Sequence, residues 1–167
     1  MEAKDLLIDV GSCRLERVVQ FRVKEGSDLI VAIKEGVLKE NIDSGIIVSG
    51  IGALKRAIFR NLKVFPDVFP VQKKDRIYLE VTSPMELVSL GGWIAAEKGG
   101  EPNIHAHFSA STVVENSVVT MGGHLTEGTI AGIKVVVAIA VLERGSATAA
   151  FDEATQSNDI FFNMNPF

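Results

Sequence analysis

The chain has 167 residues, of which 47% are hydrophobic and 23% charged, a composition typical of one globular domain. This composition excludes a disordered, collagen-like or disulfide-rich protein. Seventeen basic residues stand against 21 acidic ones, a net charge of −4, whereas DNA-binding domains usually carry a basic excess. Composition therefore disfavours nucleic acid as a partner.

Cysteine content and hydropathy predict a cytoplasmic protein. Cys13 is the single cysteine, so no internal disulfide can form, which favours a reducing compartment. The first ten residues contain acidic groups and too short an apolar run for a signal peptide. The longest apolar run, 130–142, is too short to span a bilayer and contains Lys134. We therefore expect no membrane partner.

The first predicted elements are a strand over 15–23 and one substantial helix within 25–42. Ser27 is the expected N-cap of the helix, and Asp28 suits its first turn. Gly36 weakens the helix slightly without overruling the pattern. The apolar face of this helix is predicted to consist of Leu29, Ile30, Ile33, Val37 and Leu38.

The rest of the chain is predicted to form strands. Residues 44–64 indicate a short buried strand, a tight turn at the glycine-rich stretch 49–54, and another strand; a phosphate-binding loop at 49–54 is the weaker alternative, because no helix clearly follows. Further strands are expected over 76–82, 85–97, 103–111, 117–125 and 131–143, and the tail 150–167 shows no clear period. One domain over 1–167 is therefore predicted, an α+β fold with a mainly antiparallel sheet and the helix on one face.

The three histidines of the chain, His105, His107 and His124, all fall within one short segment. Side chains alternate between the two faces of a strand, so His105 and His107 share one face. The other face is apolar and is expected to point toward the core; it carries Ile104, Ala106, Phe108 and Ala110.

A turn at Glu115 and Asn116 would place His124 opposite His107 in an antiparallel hairpin. If the turn is shifted by one residue, His124 lies opposite Ser109 and is still a diagonal neighbour of His107. The hairpin is therefore predicted to bring all three imidazoles together.

Two interpretations of this cluster remain open. It is either a metal or catalytic site, for which zinc is the best match to three imidazoles, or a polar face that contacts solvent or another subunit. Glu127 and Glu86 are the candidates for a fourth ligand or for an acid that delivers a proton.

Four motifs together resemble the PPC domain family (plants and prokaryotes conserved). They are "GEPNIHAHFSAS", "GGHLTEGTI", "SGIGAL" at 49–54 and "MELVSLGG" at 85–92, and the resemblance covers about 15–143, leaving 144–167 as a C-terminal extension. It implies an α+β fold, a homotrimer, and His105, His107 and His124 as the family's shared histidines, proposed to bind a metal such as zinc. It also implies distant fold similarity to acetolactate decarboxylase, which holds zinc through a similar histidine pattern.

The family carries a DNA-binding label that transfers poorly to this chain. Plant members attach the domain to Arg-Gly-Arg-Pro elements, which are missing from this sequence. The plant partner-binding stretch Gly-Arg-Phe-Glu-Ile-Leu is matched here by residues 83–88, in which only Glu86 and the apolar character of Leu87 agree.

Three functions follow as hypotheses. The first is a cytoplasmic homotrimer that binds a divalent metal, with zinc as the expected ion, and has a ligand-binding or assembly role. The second is a zinc-dependent lyase or hydrolase acting on a small carbonyl acid, and the third is a DNA-associated regulator. The apolar runs 85–95 and 130–142 and a mean hydropathy of +0.24 favour self-association, because one sheet and one helix cannot readily cover so much apolar surface.

Overall fold

This computed structural model describes residues 6–162, which contain nine strands and one α-helix. All strand pairings are antiparallel except a two-residue parallel contact between β4 and β8, so the α+β prediction with a mainly antiparallel sheet is confirmed. No helix within these residues is long and apolar enough to cross a membrane. The elements are β1 (Leu15–Lys24), α1 (Leu29–Lys39), β2 (Gly45–Leu62), β3 (Arg76–Val81), β4 (Met85–Glu97), β5 (Asn103–Val114), β6 (Ser117–Leu125), β7 (Ile130–Leu142), β8 (Ala147–Asp152) and β9 (Ser157–Phe162).

The N-cap of α1 lies one residue later than predicted. Asp28, not Ser27, is the N-cap, because its carboxylate accepts hydrogen bonds from the backbone N–H groups of Ile30 and Val31. The buried positions are Leu29, Ile33 and Val37, one turn apart.

Leu38 does not belong to the buried face of α1 as predicted, and Gly36 has a packing role. Leu38 was expected on the buried face but is 42% exposed, because it lies beyond the edge of the stripe that packs on the sheet. A Cβ at Gly36 would lie 2.8 Å from the ring of Phe21, so this glycine allows the ring on β1 to pack against the helix.

The prediction of a turn at 49–54 is wrong. These residues lie inside β2, one continuous strand of 18 residues. Gly52 has a φ of +150° at an irregularity in the pairing of β2 with β7, and a Cβ there would overlap the backbone of Lys134. The glycine therefore serves a bulge and a close approach of two backbones, not a chain reversal.

The length of β2 allows four strands to close into a ring. β4 and β7 flank its first half, while β3 and β6 flank its second half. Because β4, β5 and β6 also pair in succession, the strands β2, β6, β5 and β4 form a closed circuit. This closure holds the β5–β6 hairpin against the C-terminal end of β2, where Phe59 and Arg60 pair with Leu125 and His124.

The hydrophobic core lies inside this ring and under α1. The rings of Phe59 on β2 and Phe108 on β5 stack at a centroid distance of 4.8 Å, and both side chains are buried. Such a stacked pair adds about 0.5–1.5 kcal/mol beyond the burial of its area. It therefore fixes β2 and β5 to each other directly behind the histidine-bearing face.

The C-terminal extension adds a hairpin that the sequence did not predict. Residues 147–152 and 157–162 form β8 and β9, and β8 joins the end of β4. The alternation in this tail is obscured by small residues and by the turn at 153–156, which explains the missing period. The predicted tail also includes 163–167, which lie outside the described residues.

Candidate metal centre

The β5–β6 hairpin has the register that brings the histidines together. Its turn is formed by Glu115 and Asn116, and Glu115 adopts a φ of +54°, as tight hairpin turns require. His107 consequently lies directly opposite His124, which confirms the first of the two registers considered above.

The alternation along β5 puts the imidazoles outside the core. Ala106, Phe108 and Ala110 are buried, whereas His105 and His107 are exposed on the opposite face. The same alternation on β6 leaves Leu125 buried and turns the neighbouring histidine outward. The cluster is therefore built by strand geometry alone and costs the core no apolar position.

The three imidazoles form one compact group. The Nε2 atoms of His105 and His107 are 3.2 Å apart, and the ring of His124 lies with its centroid 4.7 Å from that of His105 and 5.1 Å from that of His107. One ring nitrogen from each residue can be chosen so that all lie within 4.8 Å of one another.

These distances fit a tetrahedral metal ion. With metal–nitrogen bonds of about 2.1 Å, neighbouring ligand nitrogens of a tetrahedral site are about 3.4 Å apart. The separation of 3.2 Å between His105 and His107 is close to this value, whereas the ring nitrogen of His124, within 4.8 Å of the other two, must move closer to complete the third corner. Three imidazoles leave one position open for an exogenous ligand.

The surroundings keep the histidines neutral. Burial, followed by the nearby Arg60 guanidinium and the other two imidazoles, lowers the pKa of His124 to about 3. Burial also lowers the pKa of His105, with His107 as the next cause, and burial followed by Arg60 lowers the pKa of His107. Neutral imidazoles have the free lone pairs that a metal ion needs.

A row of side chains crosses five strands through this site. In register order it runs from Tyr78 on β3 through Arg60 on β2, His124 on β6 and His107 on β5 to Gly91 on β4. Gly91 has no side chain, so the row ends in open space beside His107. Sequence analysis missed Arg60 because only the pairing of distant strands places it here.

The histidines share an open concavity of about 460 Å³ with the end of β2 and the start of β3. Its other walls are Arg60, Asn61, Leu62 and Arg76. Asn61 is fixed there because its Nδ2 donates a hydrogen bond to the carbonyl oxygen of Gly122, at 2.8 Å. The concavity therefore combines imidazoles, two guanidinium groups and one amide.

The C-terminal hairpin borders the other side of the cluster. Asp159 and Ile160 of β9 line a second concavity, of about 320 Å³, that His105 and His107 also border. The ring of Phe162 meets the Trp93 indole edge-on at 5.0 Å and so anchors β9 to β4. The negative charge of Asp159 favours the protonated form of His105 and so opposes the lowering of its pKa by burial.

The structure does not bring Glu86 or Glu127 into the group of ligand atoms. Glu86 borders a different concavity, together with Lys55 and Ser111. Glu127 lies between β6 and β7, and its charge contributes to raising the pKa of Lys34 on α1. Asp159, an acid that was not predicted for the site, lies beside His105.

Fold and site together define a class: an antiparallel α+β domain with a trihistidine cluster on the outer face of a closed strand circuit. The family model of the Plants and Prokaryotes Conserved domain, abbreviated PCC as well as PPC, matches residues 10–143. The chain belongs to this family. No curated protein matches the sequence.

Solved structures agree with this assignment. A plant- and prokaryote-conserved protein from Pyrococcus horikoshii is 27% identical, with a TM-score of 0.70 over 96% of this chain and 100% of that chain. A metal-containing protein from Archaeoglobus fulgidus is 24% identical, with a TM-score of 0.69 over 95% of this chain and 100% of that one. A candidate DNA-binding protein from Bacteroides thetaiotaomicron is 17% identical, with a TM-score of 0.68 over 90% of this chain and 97% of that one. The last two likenesses show a shared fold.

Proposed function

We propose that this protein is a cytoplasmic homotrimer that binds one divalent metal ion per chain, with zinc preferred, and uses the metal site to bind a small ligand. The observation that carries the proposal is the convergence of three neutral imidazoles, with ligand nitrogens within 4.8 Å of one another. The metal-containing relative from Archaeoglobus fulgidus supports it.

The donor set favours zinc over harder ions. Magnesium and calcium prefer oxygen ligands, whereas imidazole suits zinc, copper, nickel and cobalt. A zinc ion with one open position would act as a Lewis acid toward an oxygen of the ligand. The chain's own contribution is to hold the imidazoles neutral and oriented on two paired strands.

Cobalt(II) titration tests the metal proposal, because tetrahedral cobalt has a strong visible absorption that reports its ligands. We expect the wild-type protein to develop this absorption and reach one equivalent per chain, and His107→Gln to lose it. Ser111→Ala is the matched control, since Ser111 lies on the same face of β5 outside the group of ligand atoms. Equal absorption in His107→Gln and Ser111→Ala would reject the histidines as the site.

The trimer proposal is supported by apolar side chains on the outside of the sheet. Val113, Val118 and Ile133 are 67%, 73% and 70% exposed, and they border one mostly apolar concavity of about 530 Å³. Apolar surface of this kind usually marks an interface. The resemblance to the PPC family favours a second and third copy of this chain as the occupants.

Light scattering tests the assembly. We expect a mass three times the chain mass of 18.0 kDa, and dissociation in Val118→Lys. Val31→Lys is the control, because Val31 is 50% exposed on α1, away from this concavity. A monomeric wild-type protein would contradict the proposal.

A zinc-dependent lyase or hydrolase acting on a small carbonyl acid is the second candidate. The observation that favours it is the concavity of about 460 Å³ in which the metal ligands face two arginines. Asp159 takes precedence over Glu86 and Glu127 as the acid, because it is the one beside His105. Turnover of a 2-hydroxy-3-keto acid by the zinc-loaded protein would support this activity, and no turnover across a panel of such acids would reject it.

DNA binding is the third function that the comparisons raise, through relatives described as candidate DNA-binding proteins. It requires retention on DNA at physiological salt, with a steep loss of affinity as salt rises. The net charge of −4 weighs against it.

A further inference from the structure

Two arginines beside the histidine cluster have no acidic partner among the residues that the structure describes. We propose that Arg60 and Arg76 bind the carboxylate or phosphate group of a small ligand, a second oxygen of which reaches the metal ion held by the histidines. This inference rests on the proposed metal site and names the chemical class of its ligand.

Arg60 and Arg76 have no carboxylate counter-charge among residues 6–162. Arg17, Arg56 and Arg144 pair with glutamate or aspartate, whereas Arg60 and Arg76 form no ion pair within residues 6–162. Both are partly buried. Burial and then the charge of Arg76 lower the pKa of the Arg60 guanidinium, so the two cations act on each other. Neighbouring guanidinium groups with restricted access to water are stabilised when an oxyanion lies between them.

A metal-loaded site would carry a strong positive charge. A divalent ion at the three histidines would add two positive charges beside the two arginines, in the concavity that they share. A site of this kind attracts an anion strongly, because the opposing charges are only partly screened by water.

Strand pairing places both arginines beside the histidines. Arg60 lies directly opposite His124 across β2 and β6, while Arg76 lies opposite Leu62, two residues further along β2. Residues two apart on a strand share a face, so both arginines border the concavity that the histidines border. Its volume of about 460 Å³ suits a ligand of small-molecule size.

The amide of Asn61 and the side chain of Leu62 complete the walls of this concavity. The amide supplies a further polar contact, and the leucine limits access of water to the guanidinium groups. The arrangement therefore selects a compact, chelating anion rather than a long cationic or apolar ligand.

The test measures anion affinity on cobalt-loaded protein, with the visible cobalt absorption as the readout and oxalate and inorganic phosphate as the probes. We expect oxalate or phosphate to change the absorption saturably in the wild type. Arg60→Gln and Arg76→Gln are expected to weaken that affinity at least tenfold while still binding one cobalt per chain, since each variant loses charge-assisted hydrogen bonds to the anion. Arg22→Gln is the control, because Arg22 is an exposed arginine on β1 without an ion pair among the described residues.

Arg60→Lys guards against a folding defect, because it keeps the charge and removes the planar fork; its affinity is expected between those of the wild type and Arg60→Gln. Equal affinities in the wild type and in all arginine variants that bind cobalt would overturn the inference and leave the metal proposal intact. A wild-type protein that takes up no cobalt would overturn both. A short DNA duplex is the last probe: tighter binding than oxalate, lost steeply with salt, would assign the arginines to a nucleic acid backbone and overturn the small-ligand assignment.

Discussion

Replacement of Gly92 by alanine should force β4 and β5 apart beside the histidine cluster. Gly92 lies opposite Ala106, between the positions that pair with His105 and His107. A Cβ at Gly92 would overlap the carbonyl oxygen of His105 and lie 2.7 Å from the Cα of Ala106, whereas ordinary contacts begin at 3.4 Å. The two strands must therefore separate locally by about 1 Å, and overpacking of this kind costs about 1–3 kcal/mol.

The adjacent Gly91 provides a matched control. Its added Cβ would meet nothing nearer than a backbone oxygen at 3.8 Å, so Gly91→Ala should change the free energy of unfolding by less than about 0.5 kcal/mol. Urea denaturation gives the two free energies, and cobalt titration gives the two metal affinities. We expect Gly92→Ala to be less stable and to bind cobalt more weakly, because His105 moves with its backbone. Equal stability and equal cobalt affinity in the two variants would refute the packing argument.

Two further predictions concern stability. For the metal-free protein, the folded-state pKa of His124, about 3, lies below its unfolded value near 6.5, so stability is full above pH 6.5 and falls as the pH drops toward 3. The pKa shift corresponds to a stability change of about 5 kcal/mol at most, and partial exposure of His124 reduces this to about 1–2 kcal/mol. Urea denaturation from pH 4 to 7.5 should show the loss of stability. An identical pH profile in His124→Gln would refute its assignment to this residue. Asp28→Ala should lower the free energy of unfolding by about 1–2 kcal/mol, because it removes the cap of α1 and the hydrogen bond from the N–H of Gly128, at 2.6 Å. Asp28→Asn should lower the free energy of unfolding by about half as much as Asp28→Ala. An unchanged denaturation midpoint in Asp28→Ala would contradict the capping role.

Local pattern was sufficient to predict the histidine hairpin. The alternation of apolar and polar residues in 103–111 fixes which face of β5 is buried. The turn at Glu115 and Asn116 then places His124 opposite His107, and a turn shifted by one residue would still leave His124 on the same face as a diagonal neighbour of His107. Both signals are short-range, so the cluster of His105, His107 and His124 could be located without a structure.

The features that sequence analysis missed depend on long-range pairing. Arg60 and Arg76 reach the site because β2 pairs with both β3 and β6, and nothing in residues near them indicates those partners. The glycines of 49–54 could mark a turn or a bulge, and only the pairing with β7 decides between the two. The same holds for Asp159, which reaches His105 through the contact of β8 with β4.

The zinc content of the purified protein shows whether the three histidines hold a metal ion. Untagged wild-type protein, His105→Ala and His124→Ala are each analysed by plasma mass spectrometry, before and after incubation with zinc. We expect about one zinc ion per wild-type chain and loss of that zinc in both variants, since three imidazoles define the site. A folded wild-type protein without metal even after incubation with zinc would contradict it.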